Sequence, residues 1–166
     1  MSDIRKGYAY TCGDNINTDI ISPPQYMELS VEEASKYAMG GIDPDFASVI
    51  KPGDIIVAGN NFGSGSSREL APLSLKYLKV GAIMAKFFAR IFYRNAINLG
   101  LPVVECADAG KISKGDEISI DFVKGQVTNV TKGETYACST LPPHILALVQ
   151  EGGLIPHLKN ELAKKK

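Results

Sequence analysis

Between residues 54 and 105, short apolar runs alternate with helical patterns in the order strand, helix, strand, helix, strand. The apolar runs are Asp54 to Ala58, Ala82 to Ala85 and Leu101 to Glu105. The first gap carries Leu70, Leu73, Leu75 and Leu78, and the second is the amphipathic stretch Phe87 to Leu99, closed by Gly100. Such alternation predicts parallel strands joined by right-handed crossovers. After residue 105 the pattern changes. Asp116 to Asp121, Gln126 to Thr131 and Glu134 to Cys138 read as short strands separated by Lys-Gly turns at 124–125 and 132–133, an antiparallel meander.

Before residue 54, Gly7 to Cys12 reads as a first strand, Gly13 to Thr18 as a polar turn, and Asp19 to Ser22 as a short apolar run ended by Pro23-Pro24. Ser30 with Glu33 is a capping box that opens a helix to Met39, stopped by Gly40-Gly41, and Pro44 to Ile50 forms a short turn of helix. Pro143 to Gln150 is the closing helix. All 166 residues form one α/β domain, with the tail from about 160 expected to be flexible.

Eighteen basic and eighteen acidic residues cancel, so no global field draws nucleic acid or an anionic membrane. No segment is apolar for long enough to span a bilayer, and the N-terminus lacks a signal-peptide core. Cys12, Cys106 and Cys138 are odd in number and match no CxxC or zinc spacing, which suits a reduced cytoplasmic compartment. Two histidines, His144 and His157, are too few for a metal centre.

The chemistry-bearing segment is Gly59 to Glu69, Gly-Asn-Asn-Phe-Gly-Ser-Gly-Ser-Ser-Arg-Glu, placed between the first parallel strand and its helix. It has no lysine for a P-loop, Arg68 where a dinucleotide fingerprint needs its third glycine, and the wrong spacing for a nucleophile elbow. Ser66 and Glu69 match a capping box, but Pro72 would then fall in the second turn, so the regular helix is expected to start near Arg68 to Leu70. Ser66 and Ser67 would sit outside it, on an exposed turn. Arg68 is suited to clamp a carboxylate with two parallel hydrogen bonds. A serine near backbone amides at a helix's positive end has its alkoxide stabilised. From the residues alone this is an anion-binding site with catalytic potential.

Three segments together carry a resemblance: Gly59 to Glu69, Asp14-Asn15-Ile16-Asn17-Thr18-Asp19, and Ala89-Arg90-Ile91-Phe92-Tyr93-Arg94-Asn95. In this order they resemble the swivel domain of the aconitase superfamily, in its free-standing form as the small subunit of 3-isopropylmalate dehydratase and homoaconitase-type enzymes. The resemblance implies a β/β/α swivelling domain. It also implies a hydro-lyase that isomerises 2-isopropylmalate through an alkene in leucine biosynthesis. Ser66 would be the base that takes the carbon-bound proton. Ser67 and Arg68, with Gly65 and Thr18, would bind substrate, and Asp19 would lie at the site and help handle the leaving hydroxyl. The [4Fe–4S] cluster that acts as Lewis acid would belong to a large subunit, in a heterodimer or heterotetramer. This chain would bind no metal and be inactive alone.

In this family the loop after Asp19 meets the substrate's variable group. Homoaconitase-type subunits place an arginine there, whereas this loop reads Tyr26-Met27-Glu28. Met27 suits an aliphatic group, and Glu28 would repel a third carboxylate. That favours isopropylmalate, or an alkylated malate such as 2,3-dimethylmalate, over homocitrate. A non-catalytic anion-binding module is the reading from another class. The loop is expected to be mobile without the partner.

Overall fold

A computed structural model describes residues 3–66 and 68–164. Its centre is one seven-stranded sheet in the order β4-β3-β2-β1-β5-β6-β7. The strands are β1 (Ile4–Thr11), β2 (Ile55–Val57), β3 (Ala82–Ala85), β4 (Val103–Glu105), β5 (Glu117–Asp121), β6 (Gln126–Asn129) and β7 (Glu134–Ala137). β1, β2, β3 and β4 are parallel, with Ala9 opposite Ile55, Ile55 opposite Ala82 and Ile83 opposite Val103. β5 pairs antiparallel with the first half of β1, and β6 and β7 continue the meander. This is the mixed sheet expected from the sequence, and β1 joins its two halves. It starts at Ile4, three residues before the expected Gly7, because Ile4 to Gly7 pair with β5.

The burial of each half follows its pairing. All of β2 and β3 is buried, as parallel strands covered on both faces must be, while β5 alternates half-buried and buried residues. The β2–β3 crossover holds helix α4 (Leu70–Tyr77) and the β3–β4 crossover holds α5 (Arg90–Asn98). Ahead of them lie α1 (Thr18–Ile21), α2 (Val31–Ala34) and α3 (Phe46–Val49), and after the meander α6 (Pro143–Gln150) and α7 (Leu154–Lys164). The fully buried core spans the sheet and these helices, with Phe46, Phe62, Leu75, Ile83 and Met84 among its largest members.

Three local differences from expectation have physical causes. Ser30 Oγ does accept from the Glu33 N–H at 3.3 Å, but the helix tightens into a 3-10 turn over Ser35–Tyr37 instead of running regularly to Met39. Phe87 to Ala89 stay outside α5 because Phe62 pairs with Phe88 as an isolated parallel bridge. Residues from about 160 onward were expected as tail, yet α7 is helical to Lys164. Its last carboxylate, Glu161, pairs with Lys164 one turn on. No helix among the described residues is long and apolar enough to cross a membrane.

Candidate active site

The segments that follow β1, β2 and β3 leave the same, C-terminal, edge of the parallel sheet, where open α/β sheets form their sites. Residues 14–18 are stitched to residues 60–64. Asp14 Oδ1 accepts from the Asn60 N–H at 2.7 Å, and the Asn15 N–H donates to the Asn60 carbonyl at 2.8 Å. The Gly63 N–H donates to Ile16 at 2.7 Å, and the Thr18 N–H to Ser64 at 2.8 Å. On the other side, Phe62 exchanges backbone bonds with Phe87 and Ala89, at 3.0 and 2.9 Å. The glycine-rich segment is therefore held between the β1 extension and the start of α5.

Gly63 makes that approach possible. Its φ is +85°, and a Cβ there would lie 2.3 Å from Phe92 Cγ, so the loop can rest on α5 only without a side chain. Phe92 in turn packs edge-on against Phe62, ring centres 5.2 Å apart.

Ser66 is exposed, and its side chain makes no hydrogen bond among the described residues. It is not a helix cap: α4 starts at Leu70, its N-cap position is Glu69, and no side chain caps it. Pro72 is thus the third helical residue, where its missing N–H costs no intrahelical bond, as the sequence demanded. The Arg68 side chain is 15 % exposed. Its Nη1 forms an ion pair with Asp19 Oδ1 and donates to the Ser22 carbonyl at 3.3 Å. Both contacts fall on one nitrogen, so the guanidinium keeps a donor edge for a further carboxylate.

Ser66, Arg68, Gly65 and Thr18 line one cleft of about 210 Å³. Thr18 is 2 % exposed and its Oγ1 has no partner among the described residues. Gly65, at φ +107°, passes so close that a Cβ would sit 3.0 Å from that oxygen. Ser67 lies outside the described residues.

Asp19 reaches Arg68 from a second cleft of about 410 Å³, lined also by Pro23, Tyr26 and Tyr37. Here the structure places the loop after Asp19. Pro24–Tyr26 is a 3-10 turn, and Tyr26 stacks on Tyr37 with ring centres 3.8 Å apart. Met27 is 47 % exposed and belongs to no core, and Glu28 is exposed. None of the three lines the Ser66 cleft. Asp19 is the joint between the two.

Two residues that the sequence reading assigned to no site, Arg90 and Asn95, line the Ser66 cleft from α5. Their spacing of five on one helix was readable, but the Phe62–Phe88 bridge and the Gly63–Phe92 approach that bring that helix here were not. The cysteines point elsewhere chemically. Burial pushes the Cys12 and Cys138 thiols up to about 12 and raises Cys106 as well. Among the described residues no three histidine, cysteine, aspartate or glutamate side chains converge on a metal position. These residues do not fit an iron–sulfur cluster.

Comparison with known proteins gives the family. Residues 14–109 match the family model of the aconitase C-terminal domain, a span that holds all three motifs. The chain belongs to the aconitase C-terminal domain family. Within the family it is 48% identical over 161 residues to the 3-isopropylmalate dehydratase small subunit of Methanosarcina mazei, covering 96% of this chain and 99% of that one. It is 45% identical over 166 residues to the isopropylmalate/citramalate isomerase small subunit of Methanocaldococcus jannaschii, covering 99% of each. It is 48% identical over 159 residues to the methanogen homoaconitase small subunit of Methanothermobacter thermautotrophicus, covering 95% and 92%. The crystal structure of a 3-isopropylmalate dehydratase from M. jannaschii superposes with a TM-score of 0.91 at 41% identity, over 98% of this chain and 99% of that one. The expected aconitase-type fold is thereby confirmed, and the chain is a subunit of a dehydratase or isomerase of this aconitase family.

Proposed function

We propose that this chain is the small subunit of a cytoplasmic hydro-lyase that interconverts 2- and 3-isopropylmalate through an alkene, a step of leucine biosynthesis. Ser66 takes the carbon-bound proton on dehydration and returns one on rehydration. Arg68 holds a substrate carboxylate, Gly65 and Thr18 shape the pocket, and Ser67 binds substrate as its motif implies. A large subunit carries the iron–sulfur cluster and completes the site. The observation that carries the reading is that an uncapped, exposed serine and a half-paired arginine share one cleft, with Asp19 on the guanidinium.

The relatives' names do not choose the substrate, because the dehydratase and homoaconitase small subunits are equally similar at 48%. The loop cleft does favour one. Among the described residues no arginine or lysine lines it, so an extra carboxylate would find no cationic partner beside Tyr26. An alkyl group is the better occupant.

The test is anaerobic hydration with the large subunit of the same cell. Isopropylmaleate, dimethylmaleate, citraconate and homoaconitate are offered in parallel. Turnover of isopropylmaleate only when both chains are present is expected. An intact complex that hydrates none of the four would overturn the reading. Ser66→Ala in that complex should lower turnover by about 10²–10⁴-fold with an unchanged melting temperature.

A further inference from the structure

The hydro-lyase reading leaves one cation and one helix end in the cleft without a task. Arg90 is exposed, lines the Ser66 cleft, and has no ion pair or hydrogen bond through its side chain among the described residues. Glu105 shares a neighbouring cleft with it, but directs Oε2 to the Phe88 N–H at 3.0 Å. Arg90 opens α5, a helix of nine residues, and the N-cap Ala89 offers no side-chain bond. The first-turn N–H groups of Arg90, Ile91 and Phe92 are therefore uncapped, at the positive end of the helix. Asn95, half-buried, lines the same cleft from the next turn.

A helix end alone would say little. The buried, unpartnered Thr18 Oγ1 in the same cleft is an independent sign that something polar belongs there. Arg68 faces the cleft from the loop, and Arg90 faces it from the helix. A substrate with two carboxylates needs two such arms.

Resting on the hydro-lyase reading, we propose that the α5 N-terminus, with Arg90 and Asn95, is the second carboxylate subsite of the Ser66 cleft. Arg68 takes one carboxylate and Arg90, backed by the uncapped amides, takes the other. The Thr18 hydroxyl donates to the oxygen between them. The substrate class is then a four-carbon-backbone dicarboxylate spanning loop and helix, its reacting carbon beside Ser66. Arg90 is a substrate-binding residue that touches no reacting atom.

Arg90→Gln and Arg90→Lys in the assembled enzyme test this. Arg90→Gln should raise KM for the alkene dicarboxylate about tenfold or more, with kcat within threefold, and Arg90→Lys should recover part of the loss. A monomethyl ester should separate the wild type strongly from its diacid substrate but separate Arg90→Gln far less. If the wild type turns over and Arg90→Gln keeps its KM, the subsite is overturned and the hydro-lyase reading stands. If the wild-type complex turns over no alkene, the hydro-lyase reading fails, and amide resonances of the free chain decide the subsite. Saturable malonate shifts at Ile91 and Phe92, lost in Arg90→Gln, would retain it; their absence would remove it.

Discussion

Replacing the buried Gly63 by alanine should destabilise this protein. Two costs combine. The backbone is at φ +85°, in the left-handed region, where a Cβ costs about 1–2 kcal/mol. The new methyl would also lie 2.3, 2.4 and 2.8 Å from Phe92 Cγ, Cβ and Cδ2. Phe92 is 3 % exposed and held between Phe62 and Phe88, so it cannot swing into solvent. Forcing a methylene-sized group into such packing costs about 1–3 kcal/mol more. The sum is about 2–5 kcal/mol, or a fall of about 5–15 °C in Tm for a chain of this size.

Gly53→Ala is the matched control. Gly53 has nearly the same φ, +90°, but a Cβ there meets nothing within 4 Å. It should cost only the backbone part. Urea unfolding of both variants, and of Gly63→Ala in a Phe92→Gly background that removes the Cβ as well as the ring, separates the contributions. In that background Gly63→Ala should cost no more than Gly53→Ala does in the wild type. A Gly63→Ala variant as stable as Gly53→Ala would refute the claim that the loop rests on α5 through the missing side chain. The α5 assignment in the active site would fall with it.

Arg68→Lys should raise KM about tenfold or more, because a point charge cannot keep Asp19 and bind a carboxylate through two parallel bonds; steady-state kinetics of the complex checks this. Asp116 titrates below the usual carboxylate range, held there first by the Asn129 amide, then by the Ser113 N–H and Lys132. A depressed pKa contributes stability above the unfolded value of about 3.9 and loses it as pH falls through the folded one. Thermal melts between pH 2 and 6 should show a shallower acid limb for Asp116→Asn. Burial holds Cys12 and Cys138 protonated with pKa about 12, so alkylation at pH 7.5 should be slow in the folded protein and become fast in urea. Rapid native labelling of both would contradict the shielding that their half-buried placement gives.

Local signals were readable wherever a residue's own backbone or a nearby turn decided the outcome. Pro72 argued against Ser66 as a cap, and α4 does start at Leu70. The apolar runs at 54–58 and 82–85 read as parallel strands because helical patterns separate them, and both lie in the parallel half. Long-range joins were not readable. Nothing in the spacing of Asp19 and Arg68 announces an ion pair across 49 positions, and nothing in Gly63 names Phe92 as its neighbour. For the same reason the sequence left Arg90 and Asn95 open between a basic face for substrate or partner and a solvated helix face.

The exposed loop after Asp19 shows what the two clefts imply together. Asp19 lies with Tyr26 in one cleft, and its carboxylate rests on the arginine of the other. Under the proposed function, a group bound beside Tyr26 would reach the Arg68 clamp through Asp19, without touching Ser66, and would join substrate preference to clamp geometry. A loop change such as Met27→Arg, which leaves the Ser66 cleft unaltered, should shift KM between the isopropyl and carboxylate-bearing alkenes while changing kcat little. Equal changes in kcat for every alkene would show instead that the loop governs the chemistry itself, and the joint at Asp19 would be the wrong description.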